Sequence, residues 1–186
     1  TIIPLSVYGN FLKLNTPAKQ VILYDHELKK VLFEKNSNEL MKPASMAKIM
    51  TAYIVFDRLQ EGSLSLNDTF VVSKNAWKKG GSRTFLKLNS EVTISDLLRG
   101  LIVQSGNDAA IVLAEGIAGS EEDFAIQMNQ YANSLEMKNT YFTNSTGWPH
   151  EDLKTTAYDL IILTEALINN FPKLYKLFVE KEFTFN

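Results

Sequence analysis

Two short apolar runs, Val21-Ile22-Leu23-Tyr24 and Val31-Leu32-Phe33, flank the polar stretch Asp25 to Lys30. Apolar runs of this length around a polar turn predict two strands joined as a hairpin. From Met46 to Leu59 the pattern changes. Met46, Ile49, Met50, Ala52, Tyr53, Ile54, Val55, Phe56 and Leu59 leave almost no polar face until Asp57 and Arg58. A helix apolar nearly all round is a buried one, so the pattern predicts a central helix over 45–60. Pro43 suits its entry and Gly62 its exit.

Beyond that helix, Thr69 to Val72 predicts a short strand and Lys79-Gly80-Gly81-Ser82 a flexible loop. Ser95 is the expected cap of a helix running through Leu97, Leu98, Leu101 and Val103. A break at Ser105-Gly106-Asn107 precedes a second apolar helix over 108–117. Ser120 with Asp123 three residues on reads as a capping box opening a helix to about Glu136. Asn144 to Pro149 is turn-rich, Thr156-x-x-Asp159 opens a helix ending near Asn170, and a short helix over 174–179 follows Pro172. Residues 1–18 read as a loosely structured lead-in. Strands first and helices afterwards predict an α+β domain with a helical core.

Composition narrows the function classes. At 186 residues, 45% apolar and 22% charged, the chain fits one soluble globular domain. A net charge of −2 supplies no electrostatic footprint for nucleic acid. Zero cysteines exclude disulfides, thiolate metal sites and a cysteine nucleophile. No run approaches the ~18 apolar residues of a membrane span. Thr1-Ile2-Ile3-Pro4 has no signal-peptide pattern, so an exported protein would be represented here in processed form or as a piece.

The chemistry centres on Ser45 and Lys48. Residues three apart share a helix face, so hydroxyl and amine can meet. A serine is activated by a neighbouring base, and a lysine serves as one only when neutral. Moving an ordinary lysine from ~10.4 to ~7 takes about 4 kcal/mol of penalty on its charged form. Burial in an apolar helix acts in that direction. With 13 serines and 16 lysines, chance supplies about one S-x-x-K, and the chain holds one. The competing assignment makes Ser45 an N-cap and lets Lys48 reach water. Ser105-Gly106-Asn107 lies between two apolar helices, where a hydroxyl and a carboxamide could relay a proton and hold a substrate amide. Such residues are also ordinary turn and cap formers. The carboxylate groups Glu121-Glu122-Asp123 and Glu151-Asp152 read as helix-start and loop charges. His26 and His150 form no metal-ligand or nucleophile–base spacing.

Four runs then coincide: P-A-S-M-A-K-I-M-T-A (43–52), W-K-K-G-G-S-R-T-F-L (77–86), D-L-L-R-G-L-I-V-Q-S-G-N-D-A-A (96–110) and N-S-T-G-W-P (144–149). Together they resemble the low-molecular-mass penicillin-binding proteins, and more narrowly the serine-type D-alanyl-D-alanine carboxypeptidases. The resemblance runs from about Gln20 to Asn186. It implies the α+β transpeptidase fold shared with β-lactamases, with Ser45 as nucleophile, Lys48 as general base, Ser105 as proton relay and Asn107 as substrate-binding residue. It implies no metal or cofactor. The implied partners are a peptidoglycan stem peptide ending in D-Ala-D-Ala and the β-lactams that imitate it. The implied location is the periplasmic or extracytoplasmic face of a bacterial envelope.

The chain departs from the family pattern in one major respect. The K-T-G motif that supplies an oxyanion donor is absent; Lys154-Thr155-Thr156 lacks the glycine, and Ser145-Thr146-Gly147 falls in a turn-rich loop. Losing one such donor typically lowers a rate by about 10²–10³. Residues 1–186 are therefore expected to form a partial catalytic domain, without the remaining sheet strands, the C-terminal β-domain and the membrane anchor. The hairpin edge and one side of the cleft are expected to be open. Two alternatives stand beside the carboxypeptidase: a β-lactamase-like hydrolase and a non-catalytic binding module.

Overall fold

The computed structural model describes residues 15–185; most of the expected lead-in, residues 1–14, lies outside the described residues. Strands β1 (Val21–Asp25) and β2 (Lys30–Lys35) form the expected antiparallel hairpin. Its turn has no glycine. Lys29 takes the left-handed conformation (φ 52°), and Asp25 Oδ1 accepts from Leu28 N–H at 2.8 Å. Among the described residues this sheet has two strands, and β1 rests on α6 (Ala157–Asn170).

The central helix begins differently from the sequence expectation. Ala44–Ala47 form a 3₁₀ turn, and α1 proper spans Lys48–Glu61. Ser45 therefore does not cap an α-helix through its side chain. At three residues per turn, positions i and i+3 eclipse one another, which stacks Lys48 directly over Ser45. Gly62 ends α1 in the left-handed region (φ 77°), as the sequence implied. Met50, Ile54, Val55 and Phe56 are fully buried, each contributing roughly 1.5–3 kcal/mol relative to exposure. Around α1 pack α3 (Ile94–Ile102), α4 (Asn107–Ala118), α5 (Glu121–Ser134) and α6. Phe171 closes the far end, edge-on to Tyr53 and Phe56.

Several boundaries differ. Thr93, not Ser95, caps α3: its Oγ1 accepts from Asp96 N–H at 3.1 Å, because Glu91–Thr93 form a strand, β4, that runs straight into the helix. That strand pairs with β3 (Thr69–Val71) in a second small antiparallel sheet. A five-residue helix α2 (Lys74–Lys78) precedes the glycine loop, with Ser73 accepting from Ala76 N–H. Asn107 opens α4 one residue early. Ser120 Oγ accepts from Asp123 N–H as the expected capping box requires, but the return bond differs, Asp123 Oδ2 accepting from the Ser120 hydroxyl rather than its backbone N–H; Thr156 Oγ1 caps α6 by accepting from Asp159 N–H. Leu174–Val179 is a 3₁₀ segment rather than an α-helix.

Candidate active site

Ser45, Lys48 and Ser105 line one small cavity of about 100 Å³, together with Ile49, Leu101, Ile102 and Phe178. The four apolar side chains come from α1, from the end of α3 and from the 3₁₀ segment that follows α6. Lys48 Nζ donates to Ser45 Oγ at 3.4 Å and to the Thr146 carbonyl at 2.9 Å. The first contact is long for a hydrogen bond, as catalytic contacts often are before substrate binds.

Lys48 is 5% exposed, and burial pulls its pKa down from the ordinary lysine value to about 8. The charged form loses water that the Thr146 carbonyl and Ser45 Oγ replace only in part. No charged side chain contributes to the shift. Ser45 itself is an exposed residue.

Both serines depend on unusual backbone. Ala44, immediately before Ser45, and Ser105 have φ of 49° and 54°. The left-handed region costs a residue with a Cβ roughly 1–2 kcal/mol, and such strain clusters at functional sites. Ser105 turns the chain between α3 and α4, where Gly106 N–H bonds back to the Gly100 carbonyl at 2.9 Å.

Asn107 is not among the residues lining the cavity. Its Nδ2 donates to the Gly80 carbonyl at 2.8 Å, and its backbone N–H bonds to the Ser82 carbonyl. It therefore anchors the 79–82 loop. Its neighbour Asp108, fully buried, accepts from Thr84 N–H, Leu86 N–H and Ala109 N–H. Three N–H donors satisfy this carboxylate where no cation does.

Sequence reasoning passed over the residues that hold Lys48 in place. Thr51, one turn along α1, donates to the Ser145 carbonyl at 2.7 Å, while Lys48 grips the next carbonyl, that of Thr146. Gly147 (φ 78°) presses on the 3₁₀ turn, and a Cβ there would stand 1.7 Å from the Ala44 carbonyl oxygen. The N-S-T-G-W-P run was visible, but its contribution is made by backbone carbonyls that side-chain chemistry does not reveal. Neither histidine reaches the cavity. His26 pairs with Glu165 of α6, and His150 accepts from Asp152 N–H. Among the described residues, no cluster of three or more His, Asp or Glu side chains is arranged to hold a metal ion.

Comparisons with known proteins identify the family and the fold. The D-alanyl-D-alanine carboxypeptidase family, peptidase S11, matches residues 11–186. The D-alanyl-D-alanine carboxypeptidase DacC of Escherichia coli is 43% identical over 175 residues, covering 91% of this chain and 44% of that protein. DacF of Bacillus subtilis is 42% identical over 151 residues, covering 81% of this chain and 39% of its own length. The chain thus spans about two fifths of the curated relatives it matches. The crystal structure of penicillin binding protein 5 from Haemophilus influenzae superposes with a TM-score of 0.87 at 36% identity, over 93% of this chain and 52% of that one. The fold is thus the transpeptidase fold of the penicillin-binding proteins, and the chain belongs to the D-alanyl-D-alanine carboxypeptidase family.

Proposed function

We propose that this chain carries the nucleophile side of a serine D-alanyl-D-alanine carboxypeptidase site that trims peptidoglycan stem peptides on the extracytoplasmic side of a bacterial membrane. One observation carries the reading. The hydroxyl of Ser45, an exposed residue, lies 3.4 Å from the amine of buried Lys48, whose pKa is lowered to about 8, and both residues share a cavity with Ser105. The relatives' names supply the substrate class, and the chemistry below is built on the residues.

In the first step Ser45 Oγ attacks the carbonyl carbon between the two terminal D-alanines, and its proton passes to neutral Lys48 Nζ. The tetrahedral intermediate collapses as the C–N bond breaks. Ser105 hands a proton to the departing amine nitrogen and is resupplied from Lys48. Free D-alanine leaves, with the stem peptide esterified to Ser45. Water then attacks the ester, Lys48 takes its proton, and Ser45 is restored as the acid product departs. Asn107, two residues after Ser105, binds the substrate amide once its carboxamide swings from Gly80. A β-lactam carbonyl would acylate the same hydroxyl.

Labelling with a fluorescent penicillin tests the reading, alongside D-alanine release from a stem-peptide substrate. Label that persists on native protein and vanishes in Ser45→Ala is expected. Folded protein that takes no label sinks the claim of a competent nucleophile and favours a binding role. Rapid β-lactam turnover without D-alanine release would instead indicate a β-lactamase-like hydrolase.

A further inference from the structure

We infer that Glu121, the first residue of α5, is a positioning residue for Lys48. It fixes Ser145 and, through it, the Thr146 carbonyl that receives the lysine. The inference rests on the proposed role of Lys48 as the base. Glu121 Oε1 accepts from Ser145 N–H at 3.1 Å and from Ser145 Oγ at 2.7 Å. Ser145 and Thr146 are 0% and 1% exposed, so this carboxylate reaches into the interior. The two carbonyls of the same dipeptide are the ones held by Thr51 and Lys48. Glu121 thus holds the segment from α5 through Ser145 N–H and Oγ, while α1 holds its carbonyls.

A helix-start role does not account for these bonds. Ser120 already caps α5, and Glu122 and Asp123 place negative charge in its first turn. The helix N-terminus favours a carboxylate there, but it does not require one bonded twice to a loop from elsewhere in the chain. Within the loop, Asn144 Oδ1 accepts from Thr146 N–H, Thr146 Oγ1 and Trp148 N–H. That network shapes residues 144–148 without attaching them to the core. Besides the packing of Gly147 on the 3₁₀ turn, the hydrogen bonds that attach the segment come from Glu121 and from α1, and if the Glu121 bonds are lost the Thr146 carbonyl can drift and admit water around Nζ.

The test follows Lys48 directly. The protein is grown with ¹³C-labelled lysine, the Lys48 side-chain signal is identified by its loss in Lys48→Arg, and its titration midpoint is read in each variant. Glu121→Ala and Glu121→Asp should raise the midpoint by about one unit, since hydration relieves the penalty on the ammonium. Penicillin acylation at pH 7 should fall about tenfold with it. Asp keeps a charge at the helix start but is one methylene too short for the clamp, and it carries the test should Ala fail to fold. Glu121→Gln retains an acceptor oxygen and should keep both midpoint and rate within about twofold of wild type. An unchanged midpoint in the Ala or Asp variant, even with reduced thermal stability, overturns the inference; so does a Gln variant that behaves like Ala. If wild-type protein takes no label, the enzyme reading fails, and the NMR midpoint still reports on the clamp.

Discussion

Lys48 and Thr146 are 98 residues apart in sequence, and the amine of the first donates to the backbone carbonyl of the second at 2.9 Å. This contact directs one N–H of the amine into the interior. It leaves the face toward Ser45 Oγ, at 3.4 Å, for proton transfer. A flexible lysine side chain becomes a positioned base because a buried loop supplies it with one fixed acceptor.

The pH dependence of acylation follows from the lowered Lys48 pKa. Below about 8 the amine is protonated and cannot accept from Ser45; above it, the neutral form predominates. The rate of penicillin labelling should therefore rise through pH 8 and level off. Lys48→Arg, charged at every accessible pH, should label at least about 10²-fold more slowly. A wild-type profile flat from pH 6 to 9 would remove Lys48 as the base.

The same residue sets a stability trend. The folded pKa of about 8 lies below the ordinary lysine value of 10.5, so between those values the unfolded chain binds the extra proton. Stability then rises with pH across that window, and the full burial penalty applies below it. Urea unfolding of wild type and Lys48→Met should show Met more stable at pH 7, with the gap narrowing by pH 10. A gap independent of pH would contradict the assigned burial penalty.

Gly147→Ala tests the contact between the loop and the nucleophile turn. An added Cβ would stand 1.7 Å from the Ala44 carbonyl oxygen, at a φ of 78°. The left-handed conformation alone costs alanine about 1–2 kcal/mol, before the clash. The expected result is a lower unfolding midpoint together with slower labelling of Ser45, since the turn that bears it must move. Unimpaired labelling would show that the loop does not govern the position of Ser45.

Asp108→Ala should be among the more damaging substitutions away from the nucleophile. It orphans three backbone N–H groups at a fully buried position. Each unsatisfied donor costs about 1–3 kcal/mol unless water enters. Denaturant unfolding should show a loss of several kcal/mol, and proteolysis should begin near Thr84 to Leu86. A loss below about 1 kcal/mol would mean that the 84–86 backbone finds other partners.

Much of the scaffold was legible where one local signal had no competitor. The Thr156 cap and the termination of α1 at Gly62 depend on side chains or φ preferences within a few residues. Other features were missed because their cause is remote. Strand β4 is three residues long and is defined by pairing with β3, 22 residues earlier, so no alternation could display it. That pairing also moved the α3 cap from Ser95 to Thr93. Helix α2, with Ala76 as its one buried residue, is too short to carry a period.

The site divides along the same line. The sequence by itself determined which side chains could do chemistry, because a hydroxyl and an amine three residues apart share one face of any tight helical turn and can meet there. It also determined that the helix following them would be buried, since its apolar residues leave no other face. Only the tertiary structure decided that Lys48 has a fixed acceptor in Thr146, that Ser105 joins the same cavity, and that Asn107 is engaged with the Gly80 loop. Those outcomes rest on backbone carbonyls and on packing between segments tens of residues apart. A carbonyl is identical at every position of a chain, so its role appears only once the fold brings a partner to it.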